Sequence, residues 1–188
     1  MATPLAPGFL VALDAILDPN FARTVVLMLH HDEGQGAFGL VINRGTDFPM
    51  TDLCESLEIN WCGEDTARVD WGGPVHPEQG WILFREHLEE VEDAEQVSPR
   101  LHWSGSREAL RRFAESPELV ARIFLGYAGW GPGQLEQEIA AGAWLVVPLD
   151  EPVTGGLVFE TPKDKLWTAT VRSLGIEPGT LVSTQGVN

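Results

Sequence analysis

Lysine is almost missing from this chain. Its 188 residues hold 12 Lys+Arg against 28 Asp+Glu, and the only lysines are Lys163 and Lys165. A formal net charge of −16 disfavours a long basic face for gripping a phosphate backbone, so nucleic acid is not an expected partner. The one basic concentration, Arg107, Arg111, Arg112 and Arg122, is locally answered. Glu108 with Arg112 and Arg111 with Glu115 have the i, i+4 spacing of helical ion pairs.

Cysteine is equally scarce. Cys54 and Cys62 fit neither a CxxC pair nor a zinc ribbon, so the expectation is two reduced thiols and no metal. Long apolar runs are missing too. The best ones, residues 24–29, 40–42 and 143–147, fall far short of the ~20 needed to cross a bilayer. The N-terminus has no basic stretch and carries Pro4 and Pro7, so no secretory signal is visible. The expectation is a soluble, cytoplasmic protein without a membrane partner. No P-loop, no G-x-G-x-x-G after a strand, no HExxH and no G-x-S-x-G elbow is read along the chain, so no cofactor is expected.

What is present suffices for a core. At 44% hydrophobic and a mean hydropathy of −0.04, residues 1–188 read as one folded domain. Residues 9–13, 24–30, 37–43, 68–71 and 80–85 read as strands, and residues 24–29 do not alternate, as expected of a strand covered on both faces. Ser106 can cap a helix over 107–115. Pro132 precedes a helix over 134–141 that Gly142 stops. Thr161 begins a capping arrangement for a helix reaching Leu174, and a short helix covers 51–58. Strands and helices mix without a βαβ rhythm, which points to α+β with a mixed sheet.

The candidate chemistry is sparse. His30-His31 ends a strand, and neighbours there face opposite ways, so they do not chelate one ion as a helical pair could. The densest unusual segment is Phe124-Leu125-Gly126-Tyr127-Ala128-Gly129-Trp130-Gly131-Pro132-Gly133-Gln134-Leu135-Glu136. Two readings stay open. It is a tight strand-to-helix connection with Trp130 packed, or a binding site in which glycines admit a ligand and helix N–H groups receive an anion. Asn43, with Arg44 as a bidentate anion receptor, and Gly72-Gly73-Pro74-Val75 could converge on it. The candidate cleft is therefore Asn43, Arg44, Gly72, Gly73, Pro74, Tyr127, Trp130, Gly131 and Gln134. His30 and Glu136 are its titrating groups, and no residue is assigned a catalytic role.

Taken in order, these blocks resemble the AlgH/YqgE family of bacterial proteins of unknown function. The resemblance is carried by Leu17-Asp18-Pro19-Asn20-Phe21-Ala22-Arg23-Thr24-Val25, His30 with Gly36 through Arg44, the Gly72 turn, the Phe124–Glu136 string, and Trp144-Leu145-Val146 before Pro148. Gly45 follows Asn43-Arg44 where the family often has proline, and Leu13-Asp14 replaces a proline-containing turn. The resemblance implies a cytosolic α+β domain on a bifurcated, pseudo-barrel sheet with flanking helices. It also brings the label of transcriptional regulator, for which no helix-turn-helix or basic stripe is visible here. The leading expectation is a small-molecule- or protein-binding domain. The alternatives are a small enzyme using the same cleft and a DNA-binding regulator.

Overall fold

The structure, a computed structural model, describes residues 5–150 and 153–182. The chain divides into two compact units. One comprises the described residues up to Asn43 and from Ala128 onward; the other is Arg44–Tyr127.

In the first unit, β1 (Gly8–Ala12), β2 (Val25–Asp32), β3 (Gly36–Val41), the end of β9 (Ala121–Trp130) and β10 (Trp144–Pro148) lie in the order β10-β1-β2-β3-β9. All neighbours are antiparallel. Val25 through Met28 are fully buried, which is why the segment does not alternate. Among the described residues three helices follow β10 in this unit, α4 (Val153–Phe159), α5 (Lys163–Ser173) and α6 (Pro178–Val182). Leu166, Trp167 and Val171 line the buried face of α5, which packs on β1 and β2. Each such side chain contributes about 2 kcal/mol by leaving water. The Trp167 indole N–H also donates to the Ala12 carbonyl at 2.8 Å. The short helix α3 (Gln134–Ala140) follows β9.

The second unit contains β4 (Gly45–Pro49), α1 (Met50–Ser56), β5 (Arg68–Trp71), β6 (Val75–Phe84), β7 (Glu95–Ser98), β8 (Leu101–Ser104), α2 (Arg107–Ala114) and residues 121–127 of β9. Here the order is β4-β5-β9-β6-β8-β7. The β5–β9 pairing is parallel, so the sheet is mixed. Met50, Leu53, Ile82, Phe84, Leu110 and Phe113 belong to the core beneath it. Along β9 the partner changes. Phe124 and Leu125 pair with β5, whereas residues 128–130 pair with β3. The strands therefore fork at β9, and in neither unit does the order close on itself. The α+β class and the branched sheet expected from the sequence both hold.

Three local expectations need correction. The glycine string is not a connection up to Trp130 but the second half of β9. Helix α5 begins at Lys163 with Pro162 as its N-cap, which has no side chain able to cap, and Thr161 turns its hydroxyl to the Gly156 carbonyl instead. On α2, Arg111 meets Glu108 one turn back at 3.4 Å, and Arg112 reaches Glu90 at 3.9 Å and the Ser116 hydroxyl, in place of the i, i+4 pairs. The Ser106 cap forms as expected, its hydroxyl accepting from the Ala109 N–H at 3.1 Å. Among the described residues, no helix is long and apolar enough to cross a membrane.

Candidate functional site

The sequence-derived cleft residues fall into both units, and each set is built into its own framework. In the first unit Asn43 closes the β2–β3 edge. Its Oδ1 accepts from the Val25 N–H and its Nδ2 donates to the Arg23 carbonyl, both at 2.9 Å. Trp130 donates its indole N–H to Glu138 at 3.0 Å, and Trp144 donates to the same carboxylate oxygen at 2.8 Å. Gln134 donates to the other oxygen at 2.9 Å while its own carbonyl accepts from the Gly131 N–H at 3.1 Å. Phe21 lies against both indoles. One carboxylate thus satisfies two buried indoles. Glu138→Ala should cost about 2–4 kcal/mol, because each stranded buried donor costs about 1–3 kcal/mol. Glu138→Gln, which keeps one acceptor, should recover part of that in urea melts.

The N-terminal turn of α3 is occupied in the same way. Gly133 supplies the left-handed backbone (φ 71°) that starts the helix, and Glu136 puts an acid in its first turn. Glu136 meets a histidine, and it is His31: the Nε2–H donates to Oε1 at 2.6 Å. The other ring nitrogen accepts from the Leu5 N–H at 3.3 Å, which fixes the tautomer. His30 is exposed on the opposite side of the strand. The His31 hydrogen bond, helped by the Glu136 amide, holds the Glu136 carboxyl below its usual range. A folded-state value lowered in this way stabilises the fold above the ordinary carboxylate pKa, and that contribution disappears as pH falls through the lowered one. In His31→Phe the Glu136 carboxyl should titrate at higher pH, as followed by carboxyl-carbon NMR.

In the second unit the glycines meet each other. The Gly72 N–H donates to the Leu125 carbonyl at 2.8 Å. Gly126 has φ +73°, and a Cβ on it would collide with the Gly73 carbonyl. Close backbone approach is used here for strand against strand. Pro74 is exposed. The Arg44 carbonyl accepts from the Trp71 N–H at 3.0 Å, and Tyr127 stacks on His76 with centroids 6.0 Å apart while meeting Trp81 edge-on at 5.9 Å. The expectation of no G-x-G-x-x-G after a strand needs correction, since Gly34, Gly36 and Gly39 of the first unit have that spacing after β2; they join β2 to β3 with no helix following, so the helix N-terminus that would bind phosphate is missing there.

Other polar groups are equally committed. Burial works to raise the Asp93 carboxyl, yet the hydroxyls of Ser104 (2.6 Å) and Ser106 (2.8 Å) hold it below the usual range. His102 is buried and stacked on Phe84, and its pKa is lowered first by burial and then by nearby His87. Cys54 and Cys62 are both free thiols; Cys54 is buried, which pushes its pKa up, and Cys62 is exposed. Among the described residues, no group of three or more His, Cys, Asp or Glu is placed to hold a metal.

Open space lies elsewhere. A cavity of about 530 Å³ in the second unit is bounded by Met50, Trp61, Cys62, Arg68, Phe113 and Arg122, among others. In its wall Asp70 pairs with Arg122, which donates Nε and Nη2 to one carboxylate oxygen at 2.9 and 2.7 Å. The two side chains are only 5% and 14% exposed. A neighbouring, more apolar cavity of about 390 Å³ is lined by Phe48, Trp81, Leu110 and Leu125 among others. A shallow groove of about 650 Å³ runs along α4 and α5 in the first unit. None of the three is lined by a residue of the sequence-derived cleft. Sequence reasoning missed the Asp70–Arg122 cavity, since its partners stand 52 positions apart and no local motif links them.

The AlgH-like family profile matches residues 9–179. A UPF0301 protein of Myxococcus xanthus is 41% identical over 185 residues, covering 98% of both chains. A UPF0301 protein of Anaeromyxobacter sp. is 44% identical over 93% of this chain and 90% of its own. Among solved structures, the AlgH protein from Pseudomonas aeruginosa superposes with a TM-score of 0.79 at 33% identity, covering 100% of this chain and 98% of that one. The Corynebacterium diphtheriae protein DIP2367, at 24% identity and a TM-score of 0.71, shares the fold over 96% of this chain and 91% of its own. The chain belongs to the AlgH-like, UPF0301 family of bacterial proteins.

Proposed function

We propose that this protein is a cytosolic small-molecule-binding domain whose site is the cavity beside Asp70 and Arg122. The supporting observation is the combination in that cavity of ligand-sized space, about 530 Å³, with a buried ion pair in a wall of mixed polar and apolar surface. Ligand sites commonly occupy ~300–1,000 Å³ and combine apolar lining with few placed polar groups. A buried pair adds little net stability over an apolar substitute, so its presence at a cavity suits recognition better than folding. Direct duplex binding has no place in this reading, given the net charge of −16. A thermal-shift screen of small organic molecules tests it. Compounds that raise the Tm should lose their effect in Ala67→Trp, which fills the cavity from a half-exposed position. Hits that persist in a folded Ala67→Trp protein would place the site elsewhere.

A further inference from the structure

Resting on that reading, we infer that the ligand is a monocarboxylate carrying an apolar body, received by Arg68 at the cavity. The charges around the space decide this. Arg122 is answered by Asp70 within the wall. Glu64, also lining the cavity, accepts a hydrogen bond from the Thr66 hydroxyl at 3.4 Å and keeps its negative charge, so it offers a carboxylate ligand nothing. Arg68 is different. Its Nη1 donates to two backbone carbonyls, those of Asp65 and Ala67, each at 3.0 Å. Among the described residues no carboxylate pairs with it.

Those two bonds use both Nη1 hydrogens and fix the plane of the guanidinium. The remaining edge, Nε–H and Nη2–H, is the fork that matches the two oxygens of a carboxylate. It is oriented before any ligand arrives, so less side-chain entropy is lost on binding. One unfilled guanidinium edge suits a single carboxylate; a phosphate dianion beside the Glu64 charge would need a second cation, and Arg122 is already committed to Asp70. The apolar part of the wall is Met50, Trp61, Phe113, Leu119 and Ile123, which suits an alkyl or aryl body.

Cys62 reports on occupancy. It lines the cavity and is exposed, its sulfur accepting from the Asn60 amide at 3.2 Å, while Cys54 is buried. Neutral iodoacetamide should therefore alkylate Cys62 selectively. The experiment compares three isosteric probes, 4-phenylbutyrate, 4-phenylbutanol and 4-phenylbutylamine, by calorimetric titration and by their effect on the Cys62 alkylation rate, in wild type and Arg68→Gln. The expected result is that the carboxylate binds at least ~10-fold more tightly than the alcohol, as a charge-assisted hydrogen bond warrants. It should slow Cys62 alkylation, and in Arg68→Gln its affinity should fall to that of the alcohol with Tm unchanged. Equal binding of carboxylate and alcohol, or tighter binding of the amine, overturns the carboxylate assignment while leaving the cavity reading intact. If no probe binds or protects Cys62, both fall.

Discussion

Gly126→Ala should be among the most damaging single-methyl additions available in this protein, lowering stability by about 3–5 kcal/mol. Two effects add. The backbone at Gly126 is left-handed, φ +73°, which costs an L-residue about 1–2 kcal/mol. The new Cβ would also fall on the Gly73 carbonyl oxygen and close to that of Val75. Both obstacles are backbone held in the β6–β9 region, so neither can swing aside as a flexible side chain would. Gly142→Ala separates the two contributions. It has nearly the same φ, +78°, with open space around its Cβ, so it should lose only the conformational cost. Urea melts of the two variants, taken side by side, measure the steric part as their difference. Equal destabilisation would mean that the β5–β6 turn moves freely relative to β9.

The second large effect is expected at Asp70. Its carboxylate is 4% exposed as a residue and receives two N–H groups of Arg122. Asp70→Ala strands a cation that is itself mostly buried and stacked 4.9 Å over the Phe124 ring. Breaking such a pair from one side costs about 3–5 kcal/mol, because the survivor keeps its desolvation without its partner. For a chain of this length that corresponds to a Tm lowered by roughly 6–20 °C. The double variant Asp70→Leu with Arg122→Met should recover most of the loss, since replacing both members with apolar groups is often neutral. Without that recovery the carboxylate would have to support something beyond Arg122.

Much of the fold is legible in the sequence because local rules agree there. The unbroken apolar run at residues 24–29 reads as a doubly covered strand, and Ser106 with Leu110 and Phe113 reads as a capped amphipathic helix; both are present. The signal fails where tertiary contacts overrule propensity. Gly126 and Gly129 disguise β9, because glycine weakens a strand in isolation; Gly126 is needed there so that two backbones can touch. The start of β6 is hidden for another reason. His76, Pro77, Glu78 and Gln79 are all exposed, and the register shifts between Val75 and Gly80, so no alternation survives to be read.

The candidate site is less legible than the fold. Glycines beside aromatics attract attention as a ligand cradle, yet Trp130, Gln134 and Asn43 use their hydrogen-bonding groups on the framework. That Glu136 is met by His31, the neighbour of His30, follows from the parity of β2, and β2 has an irregularity between Met28 and His30 that no sequence pattern discloses. Asp70, Arg122 and Arg68 assemble through parallel pairing of β5 with β9, which is a long-range event.

The paired indoles have an optical consequence. Trp130 and Trp144 lie 5.8 Å apart at nearly right angles, both within the first unit. Trp81 and Trp103 lie 5.4 Å apart, both within the second. Rings this close in a chiral frame couple their excited states, so each unit carries its own near-ultraviolet circular-dichroism signature. A chain that melts in one step would lose both bands together. One whose halves come apart in sequence would announce the order by which couplet fades first.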